Sequence, residues 1–380
     1  MKNILIVAAE NSAETYGAQV VNALRRRGDV RFFGIGGERL RSLGVEVLVD
    51  YRELAVVGIV EVLFHLRKIK RVMDLLFRAA QEKKADAVLL IDYPDFNLRL
   101  ARRFKKAGIP VYYYIGPTVW AWRYSRVNLI RCFVDRLFVI FPFEREIYER
   151  EKITHTYVGH PLVPLVKPKS DRTGYRAKLG IGSGESLLVL MPGSREAEVR
   201  ALLPRMLEAG DTLQKKFGLK IFILRANNIP GGLVERHVGG RPVGVVGQEE
   251  EFDLIHAADA VLSTCGTSNL EAALLGVPFV AAYRILWATY LLGRPLVRIN
   301  RYSIVNILAG TDVAVELIQG RCRAGLMARE IGALLSDPSK RERMRREFDR
   351  IREQLKTDRP PADLVAERLD SDLDLTPKGR

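Results

Sequence analysis

The stretch from 187 to 195 constrains the fold of this chain more than any other. Its apolar first half predicts a buried strand, a Pro-Gly turn ends that strand, and residues 196–217 then have helical character. A strand that feeds a helix in this way brings backbone N–H groups, the hydroxyl of Ser194 and the guanidinium of Arg195 to one point, where a phosphate can bind. Taken alone, the turn is more typical of an ordinary connection with a solvated arginine. The neighbouring motifs therefore decide whether it is an anion-binding site.

The same alternation of apolar run, polar turn and helical segment lies on both sides of this stretch. The 380 residues, of which 48% are hydrophobic, are enough for two packed cores. We therefore predict an α/β protein with domains at 1–165 and 174–322, a polar hinge at 164–173 and a charged helical segment at 323–380. Runs that predict strands begin at 3, 31, 87, 111 and 137 in the first domain and at 187, 220, 243, 260 and 279 in the second.

Charge and cysteine content narrow the classes of function. The net charge of +15 indicates an acidic partner, which is a nucleic acid, an anionic membrane or a phosphorylated substrate. No zinc-finger spacing or RNA-recognition motif is present, so we expect no nucleic-acid partner. Three scattered cysteines and five histidines indicate neither a disulfide framework nor a zinc site, and they fit a reducing cytoplasm. No signal peptide or membrane span is apparent, which predicts a soluble or peripheral protein.

Polar side chains follow two of the predicted strands in the first domain. The loop after the first strand carries Glu10 and Ser12, with Ser12 as the expected N-cap of the next helix. Asp92 and Asp95 follow the strand at 87–91, at the edge where ligands of parallel sheets bind. Asp92 is the better candidate for a general base because it leaves the strand directly, whereas Asp95 and Asn97 are placed to cap a helix. The alternative is that both aspartates are turn and capping residues.

Two further features of the first domain allow two interpretations each. Trp120 and Trp122 lie in one loop beside an arginine. One interpretation is that they line a sugar or lipid pocket, and the other is that they fasten the loop to the core. The apolar run at 54–64 continues into basic residues at 67–71. One interpretation is that it contacts a membrane and acyl chains, and the other is that it belongs to the core. A glycine-rich turn at 34–37 lacks the complete dinucleotide fingerprint, which disfavours a nicotinamide cofactor.

A second polar turn in the second domain indicates a nucleotide-sugar site. After the strand at 260–263, Gly266, Thr267 and Ser268 open a helix and offer amide and hydroxyl donors for a diphosphate. Glu271 lies one turn into that helix, where its carboxylate can accept hydrogen bonds from two ribose hydroxyls.

Taken together and in order, these motifs resemble those of the lipid-A-disaccharide synthases, bacterial glycosyltransferases of the GT-B type. The resemblance runs from Ile4 to Cys322. It implies an α/β fold with two Rossmann-like domains, whose parallel sheets face each other across a cleft, and a helical C-terminal segment. The matching motifs are ELAVVGIVEVL at 53–63, IDYPDFN at 91–97, VWAWR at 119–123, FPFE at 141–144, GHP at 159–161, PGSR at 192–195, Gly-Thr with Leu-Glu at 266–271, Tyr-Arg at 283–284 and NILAG at 306–310.

The resemblance also implies a reaction and residue roles. Members join UDP-2,3-diacylglucosamine to 2,3-diacylglucosamine 1-phosphate, which releases UDP and gives a β-1′,6 disaccharide. Asp92 would deprotonate the acceptor 6-hydroxyl, Arg195 would neutralise the leaving diphosphate, and Glu271 would bind the ribose. An arginine in that place makes a divalent ion unnecessary, so neither a metal nor another cofactor is expected. The other expected substrate-binding residues are Glu10, Ser12, Asp95, Trp120, Trp122, Ser194, Gly266, Thr267, Ser268, Arg284 and Asn306.

The implied partners and location follow from the basic surface, which suits an acylated phospho-sugar and an anionic leaflet. We expect a cytoplasmic protein, peripheral on the inner face of the cytoplasmic membrane, with a homodimer considered as its assembly. The chain departs from the family where Ala9, Ala13 and Glu14 replace the usual Gly, Gly and Asp of the first loop, and at Cys265 and Asn269. The alternatives are another GT-B glycosyltransferase, a UDP-sugar 2-epimerase, or a non-catalytic protein that binds UDP-sugars or lipids.

Overall fold

The computed structural model describes residues 1–54, 62–285 and 299–375, without the side chains of residues 62–66. It divides the chain into two compact units. The first unit comprises Met1–Pro161 and the C-terminal stretch from Leu355, and the second comprises Leu162–Gln354.

The first unit is built on a parallel sheet of seven strands, in the order 3-2-1-4-5-6-7. The central strands are buried on both faces, which requires continuous apolar runs such as the fully buried Ala87–Ile91. The strands are β1 (Lys2–Ala8), β2 (Val30–Gly36), β3 (Glu46–Asp50), β4 (Ala87–Ile91), β5 (Val111–Tyr114), β6 (Arg136–Val139) and β7 (His155–Tyr157). The helices between them are α1 (Asn11–Arg25), α2 (Glu38–Ser42), α3 (Val62–Glu82), α4 (Pro94–Lys106), α5 (Arg126–Phe133) and α6 (Pro142–Arg150).

The second unit repeats the plan with six parallel strands in the order 10-9-8-11-12-13, which is again 3-2-1-4-5-6 when counted from its first strand. Its strands are β8 (Leu187–Met191), β9 (Lys220–Arg225), β10 (Val243–Gly247), β11 (Ala260–Thr264), β12 (Phe279–Tyr283) and β13 (Glu316–Ile318). The remaining helices among the described residues are α7 (Leu162–Leu165), α8 (Arg172–Lys178), α9 (Glu196–Phe217), α10 (Gly231–Val238), α11 (Glu251–Ala257), α12 (Thr267–Leu274), α13 (Ile304–Ala309), α14 (Ala324–Ser336), α15 (Pro338–Leu355) and, in the first unit, α16 (Pro361–Leu373). The predicted pair of Rossmann-like α/β domains is confirmed.

Three strands were missed by the sequence analysis, namely β3, β7 and β13. Each begins with a polar residue, Glu46, His155 or Glu316, and each has five residues or fewer, so none of them forms a clear apolar run. All three are edge strands of the described sheets, and only their pairing partners identify them as strands.

The ends of the predicted domains also differ from the structure. Residues 164–173, the expected hinge, belong to the second unit, where the backbone N–H groups of Lys169 and Ser170 donate to Asp253 of α11, at 2.8 and 2.7 Å. The predicted C-terminal helical segment is shared by the two units. Its last helix, α16, packs on α1, and Arg26, directly after α1, pairs with Asp363 at 2.5 Å. That helix ends at Leu373.

We searched the described helices for a membrane span. None of those in 1–54, 62–285 and 299–375 combines the length and the apolar character that a bilayer crossing needs.

Candidate active site

Most of the sequence-predicted site residues follow two strands in each sheet. The strand order reverses between β1 and β4 in the first unit and between β8 and β11 in the second. In open parallel sheets, ligands bind beyond the carboxyl ends of the strands at such a switch point. The loops and helix starts that follow these four strands carry Glu10 and Ser12, Asp92 and Asp95, Ser194 and Arg195, and Gly266, Thr267, Ser268 and Glu271.

Asp92 leaves β4 directly, as predicted, and sits in an unusual turn. Asp92 and Tyr93 both have positive φ, 50° and 48°, a conformation that residues with side chains rarely adopt. The carbonyl of Asp92 accepts from the hydroxyl of Tyr113 at 2.7 Å and from the Asn97 amide at 2.6 Å. One carboxylate oxygen of Asp92 accepts the backbone N–H of Tyr93 at 2.8 Å. These hydrogen bonds therefore fix the backbone of Asp92, and the turn places its carboxylate at the switch point.

The expected capping roles of Asp95 and Asn97 are corrected by the structure. Helix α4 begins at Pro94, earlier than expected, and its N-cap residue makes no side-chain capping bond. Asp95 instead accepts from Arg126 at 2.5 Å and from Arg123 at 3.1 Å, because the loop after β5 brings both guanidinium groups to it. Asn97 is fully buried and donates to backbone carbonyls that precede the helix.

The two tryptophans have different surroundings. The indole N–H of Trp120 donates at 3.2 Å to Glu144, which is buried, and its ring packs edge-on against Phe143 with centroids 5.2 Å apart. Trp120 therefore fastens its loop to the core, which was one of the two interpretations. The ring of Trp122 lies beneath two guanidinium groups, that of Arg126 at 4.8 Å and that of Arg123 at 5.2 Å.

In the first loop, the expected N-cap is corrected. Helix α1 starts at Asn11 with Glu10 as the N-cap residue, and no side chain caps it, so Ser12 lies inside the helix. Glu14, which replaces the aspartate usual in the family, is buried and accepts the backbone N–H of Leu40 at 3.3 Å. The longer side chain thus reaches the start of α2.

In the second unit, the turn after β8 has the predicted geometry. Gly193 has φ +120°, and a Cβ there would lie 2.5 Å from a carboxylate oxygen of Glu198, so only glycine fits. Arg195 precedes α9 and pairs with Glu198 at 2.9 Å, while 74% of its side chain is exposed. The guanidinium is therefore oriented by Glu198 and is accessible to an anion. Ser194 is exposed, and its carbonyl accepts from Asn228 at 2.5 Å.

The turn after β11 leads into α12, whose N-cap position is Gly266. Gly266 and Thr267 are exposed, so a ligand can reach the N-terminus of this helix, where the first backbone N–H groups have no partner within the helix. Ser268 is held by two hydrogen bonds, one with the Ser263 hydroxyl at 2.8 Å and one to the carbonyl of Thr264 at 3.2 Å. The adjacent positions of β8 and β11 in the sheet bring this turn beside the Arg195 turn.

Glu271 is buried in α12, and its side chain is hydrogen-bonded to that of Glu251 in α11. Burial, and then the neighbouring carboxyl of Glu251, raise the pKa of Glu271 well above its usual range. Burial also raises the pKa of Glu251, against hydrogen bonds from Glu271 and Gln248. Ionisation of either carboxyl group is therefore disfavoured, by burial and, for Glu271, also by its acidic neighbour.

Two expected donor-site residues lie elsewhere along the sheet edge. Arg284 directly follows β12 and is half-buried. Asn306 is 1% exposed, and its amide exchanges hydrogen bonds of 2.8 Å with the backbone of Ala314 and donates to Glu316, also at 2.8 Å. These bonds hold the loop before β13, so the structure gives Asn306 a packing role, and substrate binding by it stays a prediction.

Four residues of these sites were not identified from the sequence. Each contacts a predicted residue from another element, so local sequence patterns carry little signal for it. Only Glu144 had a sequence signal, because it is the last residue of the family motif at 141–144. The four are Tyr113, Arg126, Glu144 and Glu251.

The fold can be compared with solved structures. A UDP-GlcNAc 2-epimerase from Neisseria meningitidis, bound to UDP-GlcNAc, is similar with a TM-score of 0.66 and 13% identity, over 98% of this chain and 99% of that one. A glycosyltransferase from Rickettsia africae has a TM-score of 0.57 and 12% identity, over 98% of both chains. At these identities only the fold is shown. With its two Rossmann-like units and a polar site at each switch point, the chain is an α/β protein of the GT-B type.

Sequence comparison gives the family. The model for lipid-A-disaccharide synthetase matches residues 4–366. The lipid-A-disaccharide synthase of Geobacter sulfurreducens is 42% identical over 93% of both chains, and that of Myxococcus xanthus is 40% identical over 99% of this chain and 98% of its own. The chain belongs to the lipid-A-disaccharide synthase family. It is therefore a glycosyltransferase of lipid A synthesis that uses a UDP-sugar.

Proposed function

We propose that this chain joins UDP-2,3-diacylglucosamine to 2,3-diacylglucosamine 1-phosphate, with Asp92 as the general base. In this proposal the first unit binds the acceptor and the second unit binds the UDP-sugar. The observation that carries it is the turn at Asp92, where a carboxylate is held on a strained backbone at the end of a central strand. Strain of this kind occurs mostly at functional sites, because the fold must maintain it.

The chemistry needs a proton acceptor and a stabilised leaving group. Asp92 takes the proton of the acceptor 6-hydroxyl as that oxygen forms a bond to C1 of the donor sugar. The bond from C1 to the diphosphate oxygen breaks, and UDP leaves with the electron pair. The attack on C1 comes from the face opposite the diphosphate, so the configuration at C1 inverts and the new linkage is β. Arg195 neutralises the charge that develops on the diphosphate, and its exposure and its orientation by Glu198 support this role.

The nucleotide has a second set of contacts in the proposal. The open N-terminus of α12, at Gly266 and Thr267, supplies N–H donors for the diphosphate. Glu271 accepts from the ribose hydroxyls, and Glu251 holds its carboxyl group in place. Buried carboxyl groups bind hydroxyls well because little water competes with them.

The acyl chains and the membrane are assigned to the first unit. The apolar segment at 54–64 would contact them, but beyond Leu54 its side chains lie outside the described residues. The basic residues that follow are described in part: Arg67, Lys70 and Arg71 of α3 are exposed. They support a peripheral position on an anionic leaflet at the cytoplasmic face.

The direct test is to incubate the purified protein with both substrates and measure UDP release and the disaccharide 1-phosphate. We expect both products in equal amounts, and none when either substrate is omitted. Release of UDP without disaccharide would contradict the transfer. Conversion of a UDP-sugar into its 2-epimer, without an acceptor, would favour the epimerase alternative.

A further inference from the structure

The strain at the Asp92 turn extends over the neighbouring loop. Ile115, directly after β5, and Arg123, in the following loop, also have positive φ, 60° and 49°. Together with Asp92 and Tyr93 they place four such residues, none of them glycine, in the stretches that follow β4 and β5. A β-branched residue such as Ile115 adopts this conformation only where its surroundings impose it.

The contacts that impose the Asp92 conformation come from the next strand and from α4. The Asp92 carbonyl accepts from the Tyr113 hydroxyl and the Asn97 amide, and its N–H donates to the carbonyl of Tyr114 at 3.1 Å. Tyr113 and Asn97 are both fully buried. The Asn97 amide also donates to Ile91 at 3.2 Å, so it spans the end of the strand and the turn.

These contacts act on the backbone of Asp92 and thereby on its carboxylate. The Cα–Cβ direction of a residue is set by its φ and ψ, and relaxation of φ from +50° to an ordinary negative value would turn the side chain to another direction. A general base must lie within hydrogen-bond reach of the proton that it takes. A misplacement of about 1 Å is enough to reduce turnover greatly.

We propose that the Tyr113 hydroxyl and the Asn97 amide are positioning groups that hold Asp92 in its left-handed conformation for proton abstraction. The proposal rests on the proposed function, since it presupposes that Asp92 is the base. Neither group touches the reacting atoms. A buried hydroxyl also needs a hydrogen-bond partner when its role is only structural. In that case, removal of the Tyr113 hydroxyl would reduce stability and leave the turnover of the folded protein unchanged.

The structure offers a matched pair of variants. Tyr113→Phe removes the hydroxyl and keeps the ring. Tyr114→Phe makes the same change at the next position of β5, where the residue is also fully buried and its hydroxyl has no hydrogen-bond partner among the described residues. We expect Tyr113→Phe to lower kcat about tenfold or more, with KM for the UDP-sugar changed less than about twofold. Tyr114→Phe should retain the wild-type kcat.

The pair is then repeated in an Asp92→Asn background. With no base left to position, Tyr113→Phe should have no further effect on the residual kcat. An undiminished effect there would overturn the proposal, and so would equal kcat values for Tyr113→Phe and Tyr114→Phe in the wild-type background. If Tyr113→Phe does not fold, Asn97→Ser is used in its place. The same fall in kcat is expected, and an undiminished effect in the Asp92→Asn background would again overturn the proposal. Wild-type turnover by Asp92→Asn alone would instead refute the base assignment itself.

Discussion

The indole N–H of Trp120 donates at 3.2 Å to the carboxyl group of Glu144, which also accepts the backbone N–H groups of Ile140 and Phe141 at 3.2 and 3.1 Å. This single buried group joins the loop after β5 to the start of α6. Burial raises the pKa of Glu144 to about 7, against the three hydrogen bonds that favour the ionised form. The loop that carries both tryptophans is therefore attached to a group that titrates near neutral pH.

Glu144 should make the stability of the protein depend on pH. Its pKa is raised from 4.5 to about 7, so between these values the folded protein binds more protons than the unfolded chain. The contribution of this group is therefore greatest below pH 4.5 and is lost as the pH rises to about 7, with a total change of about 3 kcal/mol. In Glu144→Gln this dependence should be absent. Urea unfolding at acid and at slightly alkaline pH measures it, with Glu146→Gln, an exposed position of α6, as control. Parallel pH profiles for wild type and Glu144→Gln would contradict the prediction.

Asp92 and Asp95 should respond differently to the same change. Asp92→Asn keeps the size and removes the basicity, so kcat should fall by ~10² to 10⁴. UDP affinity should be unchanged, because the proposed nucleotide contacts are made by other residues. Asp95→Asn weakens the pair with the buried Arg126, so it should cost about 1 to 2 kcal/mol of stability and leave kcat within a few-fold. Steady-state kinetics and thermal unfolding of both variants distinguish the catalytic role of Asp92 from the structural role of Asp95. A folded, inactive Asp95→Asn enzyme would exchange the two roles.

UDP binding should release a proton from the Glu251–Glu271 pair. The pKa of Glu271 is raised well above 4.5 in the unliganded protein, whereas ribose hydroxyls donate to the ionised form. Affinity for UDP should therefore increase as the pH rises through the range above 4.5. Calorimetry in two buffers with different ionisation enthalpies measures the proton directly. In Glu251→Gln the release should shrink, because the acidic neighbour that raises the pKa is gone. Equal heats in both buffers for the wild type would count against ribose binding by Glu271.

Turnover should not need a divalent metal ion. In the proposed mechanism Arg195 neutralises the leaving diphosphate, and a guanidinium can bind two of its oxygens at once. Activity should therefore persist in excess EDTA. Arg195→Ala should lose about 10² or more in kcat, as expected when a charge-stabilising donor is removed. Loss of wild-type activity in EDTA, with recovery on addition of magnesium or manganese, would show that a metal takes this role instead.

Binding to anionic vesicles should depend on the basic face of α3. Each lysine or arginine near such a surface contributes about 1 kcal/mol, and salt screens the attraction. Lys70→Glu with Arg71→Glu should therefore weaken vesicle binding, measured by sedimentation at low salt. The control is Lys215→Glu with Lys216→Glu, which makes the same charge change at exposed positions at the end of α9. If both double variants bind equally, α3 has no particular part in membrane contact.

The sequence by itself determined the strands that carry the site and the turns that follow them. Strands β4, β8 and β11 are buried on both faces, so each appears as a continuous apolar run, and the first polar residues after a run mark the carboxyl end of the strand. For this reason the positions of Asp92, Arg195 and Glu271 made them candidate site residues. The ordered motifs then indicated the family.

Only the tertiary structure decided which groups surround those residues. The partners of Asp92, Asp95, Trp120 and Glu271 come from other strands and helices, and those of Asp92 and Asp95 include Tyr113 and Arg126, which are 21 and 31 residues away along the chain. The expected N-cap roles of Ser12 and Asp95 were wrong, because such local patterns take no account of partners that the fold brings near. A hydrogen bond needs two groups within about 3 Å, and sequence spacing alone does not specify that distance across a sheet.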